Sequence, residues 1–390
     1  MFYLCGSKAG KLMIFRLLWL LPVFLCTVSC KNPTTSATSD TAEGKELTRH
    51  AESFSLLDYG SYKILIIKQA WPDADKEFKY LLLGKDEVKP NQETFDAVIE
   101  VPVRSLVVTS TTHLPSLEML KAEEKLIGFP NLNYISSPKI RGQIEAGKVR
   151  ELGKNEDINT EVLIDLSPAV VVGFAMDGSN PAFTTIQNTG IPVLYNADWT
   201  ENSPLGKAEW IKFFGALLDK DAEAEDAFSQ IETAYQEAKS LATNTTDRPT
   251  VLSGAMFQDV WHLPKSDSWG AQFIADAGGD YLWKSSRGTG ALSLSPEAVL
   301  DRAVDADVWI GPAHFYSFDA MSKSNKVYEQ FKAFRNREVY TYTAKKNAFG
   351  GIEYFELAPN RPDLVLKDLI KIFHPQLLPE YQLYFFEKLQ

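Results

Sequence analysis

Short runs of β-branched and aromatic residues alternate with turn residues over roughly positions 54 to 100. Residues 62–67 (YKILII) and 79–83 (KYLLL) are apolar runs separated by Pro72-Asp73 and followed by Pro90-Asn91, a pattern of strands joined by turns. It predicts a hairpin added to one edge of the lobe that follows. From about Val101 the period changes. A buried-strand run at 105–109 (SLVVT) gives way to apolar residues at helical spacing over 114–126, then a short helix at 159–166, a strand at 169–173 (AVVVG) and another at 191–195 (IPVLY). Strands alternating with helical segments imply α/β units.

The centre of the chain reads as nearly continuous helix over 204–218 and 219–242. In its second half Ala227, Phe228, Ile231, Tyr235, Ala238, Leu241 and Ala242 recur at spacings of three and four. At a rise of 1.5 Å per residue that half alone spans about 36 Å, enough to bridge two lobes. After Arg248-Pro249 the α/β pattern restarts, with strands at 250–253 and 307–311 and helices at 269–277 and 295–303. The organisation is lobe, long helix, lobe: a β-rich extension over 47–103, an N-terminal α/β lobe over 104–203, a helical linker over 204–248 and a C-terminal α/β lobe over 249–390.

The first residues belong to none of these. Lys8, Lys11 and Arg16 precede an apolar run at 17–26, too short to span a bilayer as a stable helix, and small residues at 27–29 precede Cys30. Residues 1–29 read as an export signal. Val28-Ser29-Cys30 resembles the lipobox of bacterial lipoproteins, with Thr27 departing from the usual Leu, which makes Cys30 the lipidation site. Residues 30–46, rich in Ser and Thr without a large apolar residue, read as a flexible tether. All three cysteines (Cys5, Cys26, Cys30) lie in or at the end of the signal, so the body has no disulfide and no Cys-ligated metal.

Composition narrows the function classes. The 390 residues carry 40 Lys and Arg against 51 Asp and Glu, a formal charge of −11. Loss of the signal removes three positive charges and no negative ones. Such a balance argues against a nucleic-acid binder, which needs a basic stripe to neutralise phosphates. No His-Glu-x-x-His, Walker A loop, Gly-x-Ser-x-Gly or Gly-x-Gly-x-x-Gly is present, and Arg287-Gly-Thr-Gly290 is a bare Gly-x-Gly. Nothing specifies a reaction, and no enzyme is expected. The five histidines (His50, His113, His262, His314, His374) are scattered singly, although His113 with His262 or His314 leaves room for a zinc or manganese carrier.

The most informative feature is an internal echo. Asn159-Thr-Glu161-Val-Leu-Ile-Asp165 leads into the strand ending at Gly173, and Ser295-Pro-Glu297-Ala-Val-Leu-Asp301 leads into the strand ending at Gly311. Each glutamate falls in the first turn of a short helix, where a carboxylate complements the helix dipole.

With 107–117 (VVTSTTHLPSL), 151–153 (ELG), 166–168 (LSP), 190–193 (GIPV), 292–297 (LSLSPE) and 360–366 (NRPDLVL), the chain from about 104 to 389 resembles the helical-backbone (class III) substrate-binding proteins of ABC importers, the Fe/B12 periplasmic-binding family. Ala169 stands where that family usually has Asp. The resemblance implies two Rossmann-like lobes joined by a rigid backbone helix, with a ligand cleft between them, and Glu161 and Glu297 docking an ABC permease dimer with its ATPase.

The expected cargo is an iron chelate (siderophore or haem) or cobalamin, with no further cofactor. The alternatives are a free zinc or manganese carrier, or a surface-anchored scavenger that never docks. Candidate ligand residues are Tyr134, Arg141, Phe174 and Trp199 in the first lobe and Trp261, Arg287, His314 and Tyr316 in the second, since aromatic faces suit a conjugated ligand and Arg its carboxylates or iron-chelating oxygens. The whole reads as a monomeric, lipid-anchored protein of the bacterial cell envelope, facing the periplasm.

Overall fold

The computed structural model describes residues 43–90, 94–155, 157–178, 180–343 and 345–390; the signal, most of the tether and Cys30 lie outside them. The end of the expected tether is ordered instead. Lys45–Glu46 (β1) pairs antiparallel with Phe54–Asp58 (β2) and opens a sheet that continues through Tyr62–Ile67 (β3), Phe78–Gly84 (β4) and Ala97–Val101 (β5), in the order β1-β2-β3-β4-β5. Only the β4–β5 pair is parallel.

The expected addition to a sheet edge is therefore corrected: these strands form their own sheet, packed on a face of the first lobe. Phe54, Leu56, Leu65, Ile67, Tyr80 and Leu82 join one buried cluster with Leu106, Val108, Val170 and Val172 of that lobe. The intervening Val107 and Val171 point into a second cluster on the opposite face. A parallel sheet covered on both sides needs such uninterrupted apolar runs.

The first lobe's sheet has the order β12-β11-β6-β7-β8. Its strands are Leu106–Val108 (β6), Leu126–Phe129 (β7), Arg150–Glu151 (β8), Val170–Gly173 (β11) and Val193–Tyr195 (β12), all parallel, with a small hairpin of Gly153–Lys154 (β9) and Asp157–Ile158 (β10) beside them. Helices Leu114–Met119 (α1), Pro138–Glu145 (α2), Thr160–Leu166 (α3) and Pro181–Asn188 (α4) connect them.

The linker comprises Pro204–Glu209 (α5), Ile211–Leu218 (α6) and Asp221–Thr243 (α7). Asp219, in the left-handed region at φ 56°, separates α6 from α7. The 23 residues of α7 span about 34 Å at 1.5 Å per residue. Its buried stripe is Ala224, Phe228, Ile231, Tyr235, Ala238 and Ala242. The first three enter the core of the first lobe and the last three that of the second, so one rigid element is anchored in both. Leu241, which its spacing places on that stripe, is exposed instead.

The second lobe repeats the architecture with Thr250–Ser253 (β13), Asp280–Tyr281 (β16), Val308–Ile310 (β18), Val339–Thr341 (β19) and Glu387–Lys388 (β20) in the order β16-β13-β18-β19-β20, where only β20 runs antiparallel. An antiparallel sheet of Ala255–Phe257 (β14), Val260–Pro264 (β15) and Ala291–Leu294 (β17) flanks it. Helices Trp269–Asp276 (α8), Pro296–Ala303 (α9), Phe318–Ser324 (α10), Lys332–Arg335 (α11), Glu353–Leu357 (α12) and Pro362–Phe373 (α13) complete it.

Trp261 belongs to this core and not to a ligand site. Along β15 buried and exposed residues alternate, Val260 out, Trp261 in, His262 out, Leu263 in, because successive strand residues face opposite sides. Trp261 is fully buried, its ring 5.2 Å from Trp309 and 5.5 Å from Phe331, and its Nε1 donates to the Ser253 carbonyl. Trp261→Ala is expected to cost about 3–5 kcal/mol of stability through the cavity it leaves, measured as a lower denaturation midpoint in guanidinium chloride.

Candidate functional site

Parallel strands deliver their following loops to one side of each sheet, and in open α/β sheets that side forms the binding crevice. In the first lobe, β6 runs into Thr109–Thr112, β7 into Phe129–Asn131, β11 into Phe174 and Met176, and the segment after β12 carries Trp199. In the second, β13 ends at Ser253-Gly254, β18 at Gly311 and β19 at Tyr342.

All of these loops line one trench. Its inner part, about 510 Å³, lies between Trp199 to Asn202 and residues of β15, α8 and the strand ends of the second lobe. A middle part of about 350 Å³ shares Trp199, Trp269, Tyr354 and Phe355 with it. An outer part of about 710 Å³ shares Ser110, Phe174 and Phe355 with the middle and reaches Tyr134.

Hydrogen bonds fix the walls. Thr109 accepts the Phe174 N–H at its hydroxyl and the Asn155 side-chain amide at its carbonyl, at 3.1 and 2.8 Å. Ser268 caps α8 by accepting from Ala271 N–H, which places Trp269 at the first helical position facing the trench.

The segment between β19 and α13 crosses to the first lobe and closes one side. Asn347 donates through Nδ2 to the carbonyls of Asn133 and Ile135 at 2.9 and 2.7 Å. Asn360 donates to the Thr112 carbonyl and accepts from Ser116. The Glu356 carboxylate accepts the backbone N–H groups of Ser136 and Ser137 at 2.6 and 2.9 Å, just ahead of α2. A Cβ on Gly351 would lie 2.4 Å from the Tyr134 carbonyl, so only glycine fits that crossing. Burial pushes the Glu356 carboxyl up to about 7, against the two N–H donors that favour the anion.

Of the residues proposed from sequence, Tyr134, Phe174 and Trp199 line the trench. The others sit elsewhere in this structure. Arg141 donates through Nη1 to the Leu132 carbonyl of its own lobe, and its guanidinium stands 4.7 Å over the Phe349 ring of the crossing segment. Arg287 projects into solvent with its side chain 88% exposed, 3.7 Å from Asp267, while its neighbours Thr289 and Gly290 do line the trench. The His314 ring lies 4.6 Å from that of Phe315 at a tilt of 30°, and Tyr316 carries the Lys346 ammonium 5.6 Å from its ring centre; neither is among the residues lining the three parts of the trench. His113 is buried, and burial lowers it to about 4 against the attraction of Asp198. Among the described residues no cluster of three or more His, Cys, Asp or Glu is placed to hold a metal ion.

Several lining residues were not singled out by sequence reasoning. Trp269, Tyr342, Tyr354 and Phe355 supply much of the aromatic wall, and Lys207 of α5 sits at the floor. Gln69 and Pro72 arrive from the β3–β4 connection of the N-terminal sheet, where the Gln69 carbonyl accepts from the Thr200 hydroxyl and Trp71 packs against Phe78 and Tyr195. The extension is thus part of the trench wall.

The echoed glutamates are both exposed, each at the second position of its helix. Asn159 caps α3 by accepting from Val162 N–H and Ser295 caps α9 by accepting from Ala298 N–H. Its own backbone N–H and the Ser295 hydroxyl hold the Glu297 carboxyl below the usual range. Each helix leads directly into a parallel strand, α3 into β11 and α9 into β18. Each helix therefore starts at the carboxyl end of its sheet, the side on which the trench opens.

The profile of the periplasmic binding protein family matches residues 106–346, more than half of the chain. The chain belongs to that family. An uncharacterized lipoprotein of Methanocaldococcus jannaschii is 28% identical over 345 residues, covering 85% of this chain and 79% of its own. A second uncharacterized lipoprotein of that organism is 24% identical and covers 88% of each. Among solved structures, a possible iron-binding (periplasmic solute-binding) protein of Staphylococcus epidermidis superposes with a TM-score of 0.54 at 17% identity, over 70% of this chain and 98% of its own. The Ceue protein of Helicobacter pylori with nickel(II) bound gives 0.55 at 16% identity, over 76% and 92%. These likenesses establish the fold of this family member: two α/β lobes with a cleft between them.

Proposed function

We propose that the protein captures a metal chelate, an iron–siderophore, haem or cobalamin, in the trench between its lobes and delivers it to an ABC permease, without catalysing a reaction of its own. The observation that carries this reading is the trench itself. It is a continuous aromatic crevice at the carboxyl ends of both sheets, large enough for a conjugated ligand and lined by Phe174, Trp199, Trp269, Tyr342, Tyr354 and Phe355. The possible iron-binding protein of Staphylococcus epidermidis, the nickel(II)-bound Ceue protein and the lipoprotein relatives support it by analogy. Glu161 and Glu297, displayed on two lobes that α7 holds at a fixed separation, suit paired recognition by arginines of a dimeric membrane partner. The reading includes a membrane anchor at Cys30, a monomeric receptor and an ATPase that powers the permease.

A free-metal carrier has less support, since a bare zinc or manganese ion needs converging ligands and the described histidines do not converge. Trp199, which borders both the inner and middle parts of the trench, is expected to stack on the cargo. Trp199→Ala should weaken binding by about tenfold, the worth of one aromatic contact of 0.5–1.5 kcal/mol plus the area it buries. Isothermal titration of both proteins with the chelate that the unaltered protein binds checks this, and equal affinities would remove Trp199 from the site.

A further inference from the structure

Lys207 lies in α5, the helix beneath the trench, and is 6% exposed. The residue borders the middle cavity of about 350 Å³ together with Phe174, Met176, Trp199 and Trp269, and its ammonium stands 5.2 Å from the centre of the Trp269 ring, another residue of that lining. A lysine has three N–H donors. One goes to the Asp198 carbonyl at 2.8 Å.

The carboxylates of Asp198 and Glu201 attract the ammonium only from beyond ion-pair distance, and Glu201 is committed elsewhere. It accepts the backbone N–H groups of Glu52 and Ser53 and the indole N–H of Trp210. Burying a cation without an ion-pair partner is costly. The arrangement is a buried ammonium with spare donors, set in an aromatic cavity that opens to the ligand side, and burial also lowers its pKa.

We propose that Lys207 receives an anionic group of the ligand at the floor of the cleft, so that the cargo is an apolar, flat-bodied molecule carrying a carboxylate or comparable anion. The ligand's anion supplies the ion-pair partner that Lys207 lacks, while its flat body lies against Trp199 and Trp269. This deepens the binding reading and rests on it. Asp198, which also lines the cavity, opposes a second negative charge and so favours a single anionic group at this point.

The test compares an anionic aromatic dye, anilinonaphthalene sulfonate, with a neutral one, Nile red, on the soluble body and on Lys207→Met. The expected result is a loss of about tenfold or more in affinity for the anionic dye, as for a desolvated charge-assisted pair, with the neutral dye unchanged. A purely structural role for Lys207 would weaken both dyes alike and overturn the proposal. So would equal affinities in the two proteins, or no binding of the anionic dye by the unaltered one. Should Lys207→Met fail to fold, Lys207→Gln keeps a donor for the Asp198 carbonyl and takes its place. Should the dye pattern hold while no metal chelate binds, the anion anchor stands and the chelate reading falls.

Discussion

Replacing Glu161 and Glu297 together by Ala is expected to abolish uptake of the chelate while leaving its affinity for the isolated protein unchanged. Both carboxylates are exposed in the first turns of α3 and α9, remote in role from the trench walls, so ligand binding has no reason to change. Charge-assisted pairs with arginine are among the stronger polar contacts, so losing two should lower docking affinity by about a hundredfold or more. Single substitutions should give intermediate losses, because each lobe then keeps or loses its own contact. Cellular accumulation of labelled chelate measures the uptake, and tryptophan quenching measures the affinity. Normal accumulation by the double variant would end the docking role and favour a scavenger that works without a permease.

The second large effect concerns Glu356. Its carboxyl, raised to about 7 in the folded protein, returns toward the ordinary glutamate value of 4.5 when the chain unfolds. A group raised by folding contributes stability that is fully present below the unfolded pKa and is lost as pH rises through the folded one. The unaltered protein should therefore gain stability over Glu356→Gln as pH falls from about 8 to about 5, by at most about 3 kcal/mol for a shift of this size. Carboxylates held low oppose this only at more acidic pH: Glu225, lowered to about 2 by Lys212, Arg49 and Ser229 against its burial, loses its contribution below about 4.5. Urea unfolding of both proteins at pH 8 and pH 5 measures the difference. A difference independent of pH would mean that Glu356 stays ionised between Ser136 and Ser137.

The lobes and the backbone helix were readable because periodicity reports burial directly. The spacing of Phe228, Ile231, Tyr235 and Ala238 belongs to a helix with one buried stripe, and the strand runs at Val107 and Val171 to sheets covered on both faces. The trench was less readable, for reasons that can be assigned residue by residue. Trp261 and His262 are neighbours, and only the parity of β15 decides that the tryptophan faces the core and the histidine the trench. Arg287 sits beside the residues that line the trench, but its side chain is spread in solvent next to Asp267. Gln69 meets Thr200 across 131 positions of sequence, a long-range contact that no local pattern encodes. Lys207 looks like an ordinary helix residue until α5 is seen to pass beneath the cavity. Trp269 could have been found, since Ser268 is a sound N-cap before an aromatic at the first helical position.

The central claim is that the trench holds a metal chelate. Its most direct test is titration of residues 43–390 with ferric siderophores, haem and cyanocobalamin, followed by tryptophan fluorescence, for which Trp199 and Trp269 stand in the trench itself. The account expects one class of chelate to bind at a single site with submicromolar affinity, quenching that Trp199→Ala diminishes. A folded protein that binds none of them would contradict it.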